Sequence, residues 1–244
     1  MMTLGMTVGV LSGCQLPGQQ SEAPPVRGEG GETIRVSQAD IHSAKDAPEP
    51  KILPKTRFAA GRLFESSGRW DRAVEQYRKA VADDAGYVEA YDRLGVILGY
   101  LGEHEEAERS LRRGVQLRPK SAELRNNLGF ELILQRKWAE AEIELRQALE
   151  LQRTFDRAQV NLGLVLAAKG DFDGAQAAYR KVLPESDAIY NMGLAYRAHR
   201  READARAAFA RVLTINPNFV AARKQLASMG GVGAGGEAKG PTAA

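Results

Sequence analysis

Residues 88–121, VEAYDRLGVILGYLGEHEEAERSLRRGVQLRPKS, and residues 122–155, AELRNNLGFELILQRKWAEAEIELRQALELQRTF, lie over one another without a gap. Leu94–Gly95 falls on Leu128–Gly129, Ala107 on Ala141 and Leu111 on Leu145. The register extends in both directions. Gly61, Gly95, Gly129, Gly163 and Gly193 are separated by 34, 34, 34 and 30 residues. Ala73, Ala107, Ala141, Ala175 and Ala205 stand twelve residues behind them, and Tyr77, Leu111, Leu145, Tyr179 and Phe209 four residues further on. Ala60, Leu94, Leu128, Leu162 and Met192 precede the glycines. Apolar spacing between these marks is helical, as in Leu94–Leu98 and Leu128–Leu132, while Gly68, Gly102 and Gly170 punctuate the turns. Each copy reads as two helices and a turn. One copy cannot bury its apolar face alone, so the copies must stack.

Two antiparallel helices approach closely where both side chains are small. A glycine from the first helix and an alanine from the second therefore predict the contact inside each copy. The Leu, Tyr and Phe series would then fill the space between copies. The fourth copy is four residues short and reads Val182-Leu183-Pro184-Glu185-Ser186. That removes about one turn of its second helix, which Pro184 cannot continue, and predicts a local change of curvature.

The pattern resembles the tetratricopeptide repeat, a helix–turn–helix unit. The resemblance covers 54–87, 88–121, 122–155, 156–185 and 186–219, with Pro119 and Pro217 at the usual closing position and Ala85 and Arg153 there in copies one and three. It implies an all-α, right-handed superhelical solenoid. A polar-faced capping helix, 220–229, carries Arg223, Lys224 and Gln225, and a Gly-rich flexible tail, 230–244, follows.

The resemblance also implies that the first helix of each copy lines a concave groove. Asn127, Asn161 and Asn191 hold its sixth position in three successive copies, preceded there by Arg93. An amide both donates and accepts, so such a row suits the backbone of an extended peptide. Beside it stand Phe130, Ile133, Leu134, Val160, Leu164, Tyr190 and Leu194. An apolar strip flanked by amides fits a peptide or helix with hydrophobic anchors. Arg93, Asn127, Arg157 and Arg197 match only in part the clamp with which some members hold a C-terminal carboxylate.

The chain begins MMTLGMTVGVLSGC. Met1–Leu11 is apolar or small, uncharged in its side chains and too short for a ~20-residue membrane span. Leu11-Ser12-Gly13-Cys14 resembles the lipobox of bacterial lipoproteins, implying a signal peptide, 1–13, cut before a lipidated Cys14. Only the Met1 amine is positive ahead of it, where a signal usually opens with Lys or Arg, which points to a start further upstream. Gln15 rather than Asp favours the outer membrane, facing the periplasm. Residues 14–53 read as the lipidated cysteine and a disordered linker, with Pro17, Pro24, Pro25, Pro48 and Pro50. A flexible coil of that length would hold the domain on the order of 35 Å from the membrane. Thr33–Ile41 alternates enough to form a short strand on a partner.

The composition excludes other classes. Among 244 residues, 27% are charged with a net charge of +3 and no dense basic block, which argues against nucleic acid. One cysteine and three scattered histidines offer neither a disulfide nor a metal site. Gly231–Gly236 spells GxGxxG but lacks the strand and helix that a dinucleotide fingerprint requires. Glu103-His104-Glu105-Glu106 reads as a solvated helix start. No catalytic constellation, metal, cofactor or small-molecule substrate is expected. The chain reads as a membrane-anchored scaffold for protein or peptide partners, resembling assembly lipoproteins of Tad-type (Flp) and type IV pili. Adaptors that recruit periplasmic peptidases share this plan, and an accidental lipobox would leave a cytosolic scaffold.

Overall fold

The computed structural model describes residues 52–230 together with one two-residue strand pair. That pair, β1 (Val26–Arg27) and β2 (Thr33–Ile34), is antiparallel with Val26 opposite Ile34 and Arg27 opposite Thr33. It belongs to a separate unit, Met1–Lys51, so Thr33–Ile34 pairs within its own segment. The expected signal peptide, Cys14, the rest of the expected linker and the Gly-rich tail lie outside the described residues.

Residues 52–230 are all-α, a solenoid of five helical hairpins and a closing helix. The hairpins are α1 (Pro54–Ser66) with α2 (Trp70–Asp83), α3 (Val88–Leu101) with α4 (His104–Leu117), and α5 (Ala122–Leu134) with α6 (Trp138–Leu151). Then follow α7 (Asp156–Ala168) with α8 (Phe172–Arg180), α9 (Glu185–Ala198) with α10 (Glu202–Ile215), and α11 (Val220–Gly230). Each helix packs on the next in sequence. First helices of successive repeats also touch, α3 on α5, α5 on α7 and α7 on α9, and no two second helices approach as closely. The inner face is therefore built from first helices.

The repeat glycines explain the hairpin angle. A β-carbon on Gly163 would stand 2.6 Å from Tyr179 Cε1, on Gly193 2.6 Å from Phe209 Cε1, and on Gly95 2.5 Å from Leu111 Cγ. The bulky series thus fills the angle within each hairpin, under its own glycine, rather than the space between repeats. The alanines still mark the backbone approach: Ala107 O lies 3.1 Å from the Gly95 β-carbon position. All five alanines are completely buried.

Turns between paired helices use a left-handed residue, which costs glycine little. Gly68, Gly102 and Gly170 have φ of 71°, 85° and 87°, but Arg136 and Arg200 take the same place at 59° and 58°. In the fourth repeat α8 has nine residues where α6 and α10 have 14. The chain leaves it through Val182 N–H and Leu183 N–H, both donating to Tyr179 O, and Pro184 forms the N-cap of α9. A residue before proline avoids the helical region, so Leu183 cannot join the two helices. On the outer face Arg78–Glu106 and Arg112–Glu140, each 2.7 Å, link second helices of neighbouring repeats. Exposed pairs of this kind each contribute at most about 1 kcal/mol.

Candidate functional site

The residue after each repeat glycine faces inward from its first helix. In repeats two to five these are Val96, Phe130, Leu164 and Leu194, and one turn later Tyr100 and Leu134 extend the row. Tyr100 is 72% exposed, Phe130 46%, Leu134 43%, Leu164 42% and Leu194 36%. Scattered apolar residues on a surface are ordinary, but a row repeated through four units forms a continuous strip. Two grooves follow it. The larger, about 780 Å³, crosses α3, α5 and α7 between Val96, Tyr100, Phe130 and Val160. The smaller, about 600 Å³, lies over α7 and α9 between Trp138, Leu164, Leu194 and His199.

Polar groups edge and floor the larger groove. Asn127 Nδ2 donates to Asp92 Oδ1 at 2.8 Å, and Asn161 Nδ2 donates to Asn126 Oδ1 at 3.0 Å. Asn126 Nδ2 reaches Asn127 Oδ1 at 3.3 Å, joining the chain across three repeats. Burial raises the Asp92 carboxyl above its usual range, and the Asn127 bond opposes that shift. Part of the amide row therefore ties repeat to repeat. Each of these amides keeps one N–H free of a described side-chain partner, and no described residue bonds the Asn191 side chain. Asp156 and Arg157 stand at the rim, and the Glu131 carboxylate lies at the base.

The sequence-derived candidates divide three ways. Asn127, Phe130, Val160 and Asn161 line the larger groove, and Leu164, Asn191 and Leu194 the smaller. Arg93 and Tyr190 line neither. Arg93 pairs with Glu65 of the first repeat, whose carboxylate also accepts the Tyr77 hydroxyl at 2.8 Å. Tyr190 packs between Phe209 and Phe219, ring centroids 5.7 and 5.0 Å away, and closes the core against the last helix. Ile133 is buried, whereas Tyr190 is half-buried. A carboxylate clamp loses two of its four members, since Arg93 is bound to Glu65 and Arg197 to Gln225. The sequence reading missed Val96, Tyr100 and Glu131. The first two repeat Phe130 and Leu134 one unit earlier, and Glu131 is an acid where repeats two and four carry Ile97 and Val165. Among the described residues no helix is long and apolar enough to cross a membrane, and no three metal-ligating side chains converge.

Comparison with known proteins agrees with this geometry. No curated protein matches the chain. Among solved structures, MamA is 26% identical with a TM-score of 0.57, covering 72% of this chain and 94% of its own. YrrB, described as a TPR protein with an unusual peptide-binding site, is 22% identical at a TM-score of 0.58, covering 76% and 96%. PilW, described as a widely conserved type IV pilus biogenesis factor, is 20% identical at 0.60, covering 75% and 88%. At those identities the last two show the fold alone. Sequence models described as Tetratricopeptide repeat match residues 58–122 and 131–188, and a further one matches 187–218. With its glycine-seated hairpins and first-helix inner face, the chain belongs to the tetratricopeptide-repeat family.

Proposed function

We infer that this chain is a lipid-anchored, non-catalytic scaffold of the bacterial envelope that holds an extended peptide segment of a partner protein along its inner face. The exposed apolar strip from Val96 to Leu194 carries the reading. It is continuous through four repeats and supplies one hydrophobic seat per repeat, while free amide N–H groups beside it suit a peptide backbone. Anchoring rests on Leu11-Ser12-Gly13-Cys14, and several acyl chains on one cysteine would hold stably where one holds only marginally. Gln15 favours delivery to the outer membrane. Pilus assembly is the preferred setting. The order of lipobox, spacer and repeats resembles the assembly lipoproteins of type IV and Tad-type pili, and a pilus biogenesis factor shares the fold.

The two halves of the proposal are tested separately. Growth with an alkyne fatty acid labels the parent chain and not a Cys14→Ala variant; equal labelling removes the anchor. A photocrosslinking residue at position 130 captures a partner that Leu164→Glu fails to recruit. Capture unaffected by Leu164→Glu removes the groove.

A further inference from the structure

The floor of the larger groove contains a carboxylate where the neighbouring repeats carry apolar side chains. Glu131 is 2% exposed, in a register position where Ile97 and Val165 are buried apolar residues. A buried carboxylate is costly unless its oxygens are partnered. Glu131 Oε1 is well held, accepting from His104 Nδ1 at 2.9 Å and Gln135 Nε2 at 3.1 Å. Its other oxygen, Oε2, has no hydrogen-bond partner among the described residues and packs on Gly99, where a β-carbon would stand 2.3 Å away. Gly99 and Glu131 both line the groove, so the missing side chain at position 99 leaves the oxygen at its base. Repeats three and four have Ile133 and Ala167 at the place of Gly99. The opening thus coincides with the acid in one repeat junction.

The geometry points to Glu131 as the acceptor for a Lys or Arg side chain of the partner peptide, entering the groove between Tyr100 and Phe130. This assignment rests on the peptide-binding reading of the inner face and names what that peptide must carry. A long basic side chain has an apolar stem to lie along Val96 and Phe130, and its cation is favoured beside aromatic faces. The head meets a carboxylate whose one free oxygen lacks a donor. Charge agrees: Glu131 and Asp156 line the groove against Arg157 alone, and no Lys or Arg among the described residues pairs with Glu131. The inferred ligand is an extended segment with a basic residue flanked by apolar ones.

Fluorescein-labelled, N-acetylated nonapeptides of Leu and Val, with Lys, Arg, acetyl-lysine, norleucine or Glu at the centre, are titrated into the full chain by anisotropy. The Lys and Arg peptides bind about tenfold or more tighter than norleucine, and acetyl-lysine falls to the norleucine level. Glu131→Gln, which keeps the shape of the side chain, removes that preference and leaves norleucine binding unchanged. Equal binding of the Lys and norleucine peptides to the parent chain overturns the assignment, and so does a preference that survives Glu131→Gln. In either case, weakening of every peptide by Phe130→Glu keeps the groove reading. Binding insensitive to Phe130→Glu rejects both readings. Self-association of the chain through this face, abolished by Glu131→Gln, would make a second copy the occupant and also overturn the assignment.

Discussion

Replacing Gly163 by alanine tests the packing rule on which the whole solenoid rests. The new methyl would lie 2.6 Å from Tyr179 Cε1, 2.8 Å from Cδ1 and 3.0 Å from Cζ. The ring is a poor candidate for retreat, being 3% exposed and part of the central core that also contains Ala175 and Met192. Overpacking of this kind costs about 1–3 kcal/mol. Alanine in place of a mid-helix glycine returns about 0.5–1 kcal/mol. The net expectation is destabilisation by up to about 2.5 kcal/mol. Gly114→Ala is the control: its methyl meets only Leu124 Cδ2 at 3.0 Å, with the next atoms at 3.8 Å, and the helical gain should roughly offset the contact. In a double-mutant cycle with Tyr179→Ala the clash disappears. The pair should couple favourably by about 1–3 kcal/mol. Urea unfolding followed by circular dichroism at 222 nm reads all four species. If Gly163→Ala stabilised the chain as helix propensity alone demands, or if the pair were additive, the account of the glycine series would be wrong.

Three further outcomes follow from particular residues. Arg200 sits at φ 58° where three other repeats place glycine, so Arg200→Gly should stabilise by about 1 kcal/mol and raise the Tm by about 2–4 °C in calorimetry. Burial pushes the Tyr179 phenol up to about 12, so the folded state keeps its proton while the unfolded chain, near 10, releases it. Its contribution to stability is intact below pH 10 and falls through pH 10–12, and Tyr179→Phe should lessen that fall by at most about 1.3 kcal/mol in urea midpoints measured at pH 9 and 11. Asn127→Ala removes the donor that opposes the raised Asp92 carboxyl, so the Asp92 titration followed by NMR should move still higher.

The sequence carried the repeat because its fold-forming positions are chemically narrow. Only glycine fits above Tyr179 or Phe209, and only a small residue fits where the second helix crosses, so both series survive as identities that can be counted. The partition of inner-face residues was harder to read. Tyr190 and Val160 occupy the same repeat position, yet Tyr190 meets Phe219 from the closing segment and is drawn into the core, whereas Val160 stays at the groove. The pairing of Arg93 is hidden for a similar reason: its partner Glu65 lies 28 residues away, and nothing in either residue alone announces the pair. The amides were legible as a row but not as a chain, because Asn126 links Asn127 and Asn161 from a neighbouring position outside the series.

A solenoid separates what builds it from what it binds by the register itself. Positions that recur in every repeat are occupied by the hairpin: the glycine, the ring or leucine beneath it, and the buried alanine. They cannot distinguish one repeat junction from another. Selectivity must therefore come from positions where the repeats disagree, and two such disagreements fall together between repeats two and three. Glu131 departs from Ile97 and Val165, and Gly99 departs from Ile133 and Ala167. Both departures line the same groove. Random drift at exposed positions would scatter such changes along the solenoid, and a buried acid would be disfavoured wherever it arose. Their convergence on one junction, with the cavity opened by one residue and the acid supplied by another, is what a site for one kind of side chain requires.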